Sequence, residues 1–257
     1  MTRKGSDSAA SPYDDAFYRA QIESSFHSAV IYLDHLSTYF QPSSLADFGC
    51  GRGSWLKAAH ESGIENLYGI DGPWNSQDKM VSQAIKFIAA DLNEPISLEQ
   101  RVDLAISLEV AEHLVPASAE TFVRSLTDAA DIIMFGAAYS HQGGVNHFNE
   151  QPHSYWAAIF QSFDYAAFDL FRPYFWGDER VAGPYRQNTF LYVKRGSAAF
   201  HRIINCGESP IANTDFMNAV HPYLYEQKRV PPIRESLKIP FRSAKRILIN
   251  WRKRFLG

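Results

Sequence analysis

The segment Asp47-Phe48-Gly49-Cys50-Gly51-Arg52-Gly53 follows an apolar run and leads into a helical pattern. Glycines there let the backbone turn tightly and approach a ligand closely. Taken alone, such a turn would serve a dinucleotide or no ligand at all. Acids stand at matching places further along. Asp71-Gly72 ends the next apolar run, 18 residues after Gly53, where a carboxylate can accept hydrogen bonds from ribose hydroxyls. Asp91-Leu92 ends a third run, where an acid can bind the adenine amino group beside an apolar neighbour. Leu108-Glu109 ends a fourth. A second group, His113, His141 and His147, offers general bases near neutral pH. Asn146, Asn149, Glu150 and Gln151 beside His147 could hydrogen-bond a polyhydroxylated molecule or simply satisfy the loop's own backbone.

The elements that must position these residues alternate. Apolar runs at Leu45–Phe48, Leu67–Ile70, Ile85–Ala89, Val102–Ser107 and Ile132–Ala137 read as strands, and Val181–Val193 reads as a return to strand pairing. Ser54–Ser62, closed by Gly63, and Ala117–Ala129 read as helices. Asp14–Tyr39 is a third, with Ile22, Phe26, Ala29, Val30 and Leu33 at helical spacing. Alternation of this kind predicts an α/β fold, a parallel sheet with helices on both faces. Its ligands bind at the carboxyl ends of the strands, near the switch in strand order. Tyr155, Trp156 and Phe160 read as core rather than as a substrate platform.

Composition narrows the classes. The chain has 257 residues, 46% of them hydrophobic and 14% aromatic, enough for a sizeable core and against intrinsic disorder. Two cysteines, Cys50 and Cys206, make no disulfide framework and fit a reducing, cytoplasmic compartment. Residues 1–12 are polar, read as disordered, and show no secretory signal. The net charge of -3 is uneven. Residues 228–257 hold ten Lys or Arg and one acid, a net of +9, which leaves -12 on the remainder. Ala244, Leu248, Trp251 and Phe255 fall on one helical face, so residues 241–257 read as a basic amphipathic helix. Such a helix would lie on an anionic membrane surface, or pack on the domain or on a twin subunit in a homodimer. Nucleic acid is disfavoured, because the rest of the chain is acidic. The domain reading is residues 13–200 as the ligand-binding domain and 201–257 as an extension.

Asp47-to-Gly53, Asp71, Asp91 and Asp103-to-Leu114 together resemble the four successive motifs of class I methyltransferases that use S-adenosyl-L-methionine (SAM). The resemblance covers residues 30–195 and implies a Rossmann-like, doubly wound, mostly parallel seven-stranded sheet. It implies that Asp47, Gly49 and Gly51 surround the methionine end of SAM, with Cys50, Gly72, Leu108 and Glu109 also lining the pocket. Asp71 would hold the ribose, and Asp91 with Leu92 the adenine. The glycines depart from G-x-G-x-x-G, because Ser54 occupies the third glycine's place. His141–Gln151, with Tyr155, Trp156, Phe160 and Tyr185–Asn188, resembles a bacterial group of methyltransferase-domain proteins of the glycan or small-molecule type. That implies O-methylation of a small polar acceptor such as a sugar, with His147 as base and His113 and Asn146 as further candidates. Two alternatives stand beside it. One is a SAM enzyme that attacks or cyclises the aminobutyrate chain and releases methylthioadenosine. The other is a non-catalytic interaction module, against which the intact cofactor motifs argue.

Glu109-Val110-Ala111-Glu112-His113 also resembles the E-x-x-E-H segment of magnesium-dependent methyltransferases. A helix starting near Glu109 would align these side chains on one face, and His141 or His147 would complete a divalent-ion shell. The simpler reading places Glu109 on the SAM pocket and assigns no metal.

Overall fold

The computed structural model describes residues 15–229. The expected disorder over residues 1–12 and the basic helix over 241–257 lie outside the described residues. The chain divides into two units after Ala219. The second contributes one described helix, Pro222–Arg229. Among the described residues no helix is long and apolar enough to cross a membrane.

The first unit is built on one seven-stranded sheet. Its strands are β1 (Ser44–Phe48), β2 (Asn66–Asp71), β3 (Ile85–Ala89), β4 (Leu104–Leu108), β5 (Ile132–Gly136), β6 (Tyr165–Phe168) and β7 (Phe190–Lys194). They lie in the order β3-β2-β1-β4-β5-β7-β6. The first five pair in parallel, and β7 runs antiparallel to both β5 and β6. The sheet is Rossmann-like, doubly wound and mostly parallel. Residues of β4 and β5 are buried throughout, as expected for strands covered on both faces, and that is why they read as unbroken apolar runs.

Side-chain alternation divides the core into two layers. Leu45, Leu104, Ile106 and Leu108 pack with helices α1 (Asp15–Ser37) and α2 (Ser54–Glu61). Ala29, Tyr32, Leu33 and Leu36 of α1, at i, i+3, i+4 and i+7, supply successive turns of that layer. Ala46, Phe48 and Ala105 pack instead with α3 (Ala119–Ala129) and α4 (His153–Ser162). Trp156 and Phe160 are core residues there, while Tyr155 is half-buried at its margin.

Two sequence expectations change. Val181–Val193 is not one strand. Pro184 sits in the first turn of a short helix, and its fixed φ favours that start. Counting the short helix Arg172–Phe175 as α5, this helix is α6 (Gly183–Asn188), and only Phe190–Lys194 extends as β7. Nor does a helix begin at Glu109. That residue takes a left-handed φ of 57°, and its N–H bonds Gly136 O at 2.8 Å, prolonging the β4–β5 ladder. Only a single 3-10 turn, Ala111–His113, follows. β6 carries no signal noted in the sequence: its four residues, Tyr-Ala-Ala-Phe, are too short to show a period. A final helix of this unit, α7 (Ala198–Asn205), packs along β7.

Candidate active site

β1 pairs with β2 on one side and β4 on the other, so the strand order reverses at β1. The glycine turn leaves the sheet there. Gly49 and Cys50 donate their N–H groups to Ile70 O at 2.7 and 3.1 Å, and Gly53 N–H bonds Cys50 O at 2.8 Å. Gly49 has φ of 91°, and a Cβ on it would fall 2.3 Å from the Val110 side chain. Glycine is therefore required both for the turn and for the close approach of the segment after β4. Gly51 differs. A Cβ there would meet nothing within 4 Å, so the turn presents open backbone to the space above it.

Asp71, at the end of β2, reaches across this turn. Its Oδ2 accepts from Gly51 N at 2.7 Å and its Oδ1 from Gly72 N at 2.6 Å. Asn75 donates to Gly51 O. Asp47 is buried below, and burial followed by the Asp71 charge holds its carboxyl well above the usual carboxylate range. Cys50 is buried in the same wall, where desolvation pushes its thiol up. Asp91 is exposed just past β3 and accepts from Asn93 N at 2.9 Å, which lowers its pKa. Leu92 is buried next to it, and Leu108 is buried at the end of β4. Trp74 and Asn75 are additions that the sequence motifs did not flag. The Trp74 ring lies where a Cβ of Gly72 would be, yet is 60% exposed. An aromatic residue three positions after the β2 acid was the available signal.

These residues fit SAM. A carboxylate at the end of β2 suits a ribose diol, the open Gly51 backbone admits a ligand chain, and buried Asp47 suits an ammonium group.

Glu109 points elsewhere. Its Oε1 accepts from Asn188 Nδ2 at 2.7 Å and its Oε2 from Gln142 Nε2 at 3.1 Å. Burial pushes its carboxyl up to about 7, while those two amides pull it back. The left-handed turn at Glu109 thus splays it from the two residues it was expected to accompany, Glu112 and His113.

Those two meet His147 instead. Phe148 and Asn149 both donate backbone N–H groups to Glu112 O, at 2.8 and 2.9 Å. That clamp brings the His147 ring edge-on to His113, with centroids 4.7 Å apart. His113 Nδ1 donates to Asn146 O at 3.2 Å, and His147 Nδ1 donates to Glu150 Oε1 at 2.8 Å. Gly143 N–H bonds the same Glu150 oxygen at 2.5 Å. A Cβ on Gly144 would fall 2.2 Å from His147 Nε2, so only glycine lets the loop cross there. One ligand atom each from Glu112, His113 and His147 lie within 4.8 Å of one another. Burial, then the neighbouring Glu109 charge, pushes Glu112 well up, and its Oε2 is buried without a partner. Burial, then His147, pulls His113 down. Asn146 is exposed with φ of 60° and contributes its carbonyl to this cluster. His141 is exposed at φ 68° and is not brought into the cluster.

The sequence profile of the methyltransferase domain family matches residues 46–130. No curated protein matches by sequence. Among solved structures, an O-methyltransferase family protein from Burkholderia thailandensis aligns over 72% of this chain and 60% of its own, at 14% identity and a TM-score of 0.53. The sugar N-methyltransferase KedS8 from Streptoalloteichus sp. ATCC 53650 aligns over 76% and 99%, at 14% identity and 0.53. The small RNA methyltransferase HEN1 aligns over 75% of this chain and 27% of its own, at 15% identity and 0.51. The present chain thus spans less than two thirds of the first of these and about a quarter of the third. At such identities the likeness is one of fold. With the family match over residues 46–130 and the glycine turn, the chain is similar in fold to class I SAM-dependent methyltransferases, whose methyl donor is SAM.

Proposed function

We propose that the chain methylates a hydroxyl group of a small polar acceptor such as a sugar or a biosynthetic intermediate. The observation that carries this reading is the His147–Glu150 pair. An oxygen acceptor is a poor nucleophile until it loses its proton, and a histidine oriented by a carboxylate is suited to take it. With Nδ1–H committed to Glu150, the proton-accepting nitrogen is Nε2. Glu150 fixes that tautomer and stabilises the imidazolium that forms, as an acid does behind a catalytic histidine. When bound, SAM supplies an electrophilic methyl group. The chain's own work is to align the acceptor and receive its proton. Purified protein, SAM and a panel of sugars and phenols would be analysed by mass spectrometry. S-adenosylhomocysteine (SAH) formed with a methyl ether supports the reading. Methylthioadenosine released without any acceptor would overturn it.

A second reading of the same cluster has its own observation. Glu112 Oε2 lacks a partner, and both histidines donate Nδ1–H to oxygen, leaving each Nε2 lone pair unprotonated. Histidines fixed in this way are typical metal ligands. Under this reading Glu112, His113 and His147 hold a divalent ion, which would activate the hydroxyl in place of a base. Calorimetric titration with Mn2+ and Zn2+ separates the two. Binding that is lost in Glu112→Gln supports the ion, and no binding leaves the histidine base.

A further inference from the structure

Among the described tryptophans, Trp55 and Trp156 are buried and Trp176 is half-buried, whereas Trp74 is 60% exposed. A tight turn holds it there. Asn75 N–H bonds Gly72 O at 3.0 Å, and Pro73 takes the second position of that turn, where its fixed φ suits the bend. Asn75 is buried and anchors the turn by donating Nδ2 to Gly51 O. Lys79 Nζ donates to Trp74 O at 2.9 Å.

The indole lies flat on Gly72. A Cβ at Gly72 would stand 2.2, 2.3 and 2.4 Å from three consecutive ring carbons, Cη2, Cζ2 and Cζ3. Such nearly equal distances put that point over the face of the ring, since an approach to the edge would bring one carbon much closer than its neighbours. One face of the indole is therefore covered by the Gly72 backbone. The other is open, which agrees with the exposure of the residue.

Alternation along β2 fixes the side of the sheet. Tyr68 and Ile70 belong to the layer of α3 and α4, while Leu67 and Gly69 face the layer of α1 and α2. Position 72 follows Tyr68 and Ile70, and Leu92, in the turn after β3, lies in that same layer. Ala90 N–H bonds Asp71 O at 2.9 Å, so the two turns leave the sheet level with each other. A side chain at 72 would thus face the layer of Leu92. Glycine has none, and the Trp74 ring stands in its place. Asp91, beside Leu92, receives both Asn93 donors, N and Nδ2, on Oδ1 at 2.9 Å, and Oδ2 accepts from neither. A flat heteroaromatic base with an exocyclic amine matches this pair of features: an open aromatic face and a carboxylate oxygen able to accept.

We propose that Trp74 is the base-stacking residue of the cofactor pocket, its open face taking the adenine of SAM and supplying, from two positions downstream, the wall that Gly72 lacks. This rests on the SAM pocket described above. The indole contributes to cofactor affinity and has no part in the transfer of the methyl group.

The test compares Trp74→Ala and Trp74→Phe with the unmodified full chain, using SAH as the probe. In Trp74→Ala, SAH should bind about 5- to 30-fold more weakly by calorimetry, the lower half of the range for a base stacked on an aromatic ring. Trp74→Phe keeps a ring and should recover most of the loss. Trp74 emission, taken as the difference between the unmodified protein and Trp74→Phe, should become less accessible to acrylamide as SAH binds. Unchanged SAH affinity in Trp74→Ala would overturn the stacking. Tighter binding would overturn it as well, because the ring would then fill the adenine's own place in the free protein. So would an acrylamide access that SAH leaves unaltered, a measurement that does not need the alanine variant. An unmodified chain that binds no SAH would overturn the pocket itself, a result distinct from SAH bound with Trp74 left open.

Discussion

Two regions beyond the carboxyl ends of the parallel strands are held in opposite ways. The turn after β1 is built from backbone: Gly49, Cys50 and Gly53 each bond main-chain oxygens, and one carboxylate, Asp71, spans it. Residues 139–151 are held largely by side chains. Glu150 ties His147 to Gly143, and Gln142 is tied to Glu109, just after β4, and to Asn188 at the end of α6. A backbone-built turn depends on residue type at a few fixed positions. A side-chain-built loop depends on partners far apart in sequence. The difference suits the work proposed for each, a fixed cofactor at one and a variable acceptor at the other.

The largest expected effect is on the side-chain-built region. His147→Ala should lower turnover by about 10²–10⁴-fold, the usual weight of general acid–base catalysis, with SAH affinity unchanged by calorimetry. Unaltered turnover on the true acceptor would remove His147 from the mechanism. Gly49→Ala is next. A left-handed φ and a 2.3 Å approach to Val110 should together cost about 2–4 kcal/mol in stability, read by denaturant unfolding. A cost within the error of the method would show that the turn yields more easily than its geometry indicates.

Asp71→Ala should weaken SAH binding by about 1.5–3 kcal/mol, the weight of hydrogen bonds to a charged group, without changing the exchange of residues 139–151. Loss in both places would mean the two regions are not separable. The smallest effect concerns pH. Asp47 has its pKa raised by burial, so in the free protein it keeps its proton into a higher pH range than an ordinary aspartate. An ammonium group bound above it favours the ionised form. SAH affinity should therefore rise with pH through that raised pKa, by at most about tenfold per unit. It should be level with pH in Asp47→Asn. A slope that persists in Asp47→Asn would place the titration elsewhere.

How much of this was legible in the sequence follows the same division. Gly49, Gly51, Asp71 and Asp91 could be placed at strand ends from the sequence, because each sits at the end of an apolar run. Trp74 and Asn75 lay just beyond the motif, where an aromatic residue three positions after the β2 acid was the one signal offered. Glu109 could not be read correctly. Its proximity to Glu112 and His113 suggested one face of a helix, but a single left-handed residue at β4's end turned it toward Asn188.

The sequence by itself determined the first five strands and the glycine turn and acids at their ends, because these rest on periodicity and on residues a few positions apart, while the strand order and its switch at β1 were decided by tertiary pairing. The partnership of His147 with Glu150 and His113, and of Asn188 with Glu109 and His153, was decided only by the tertiary structure. Those contacts join residues up to 79 apart, and nothing in the local pattern of either partner specifies the other. Packing of α4 and α6 against β5 and β7 brings them within hydrogen-bond distance.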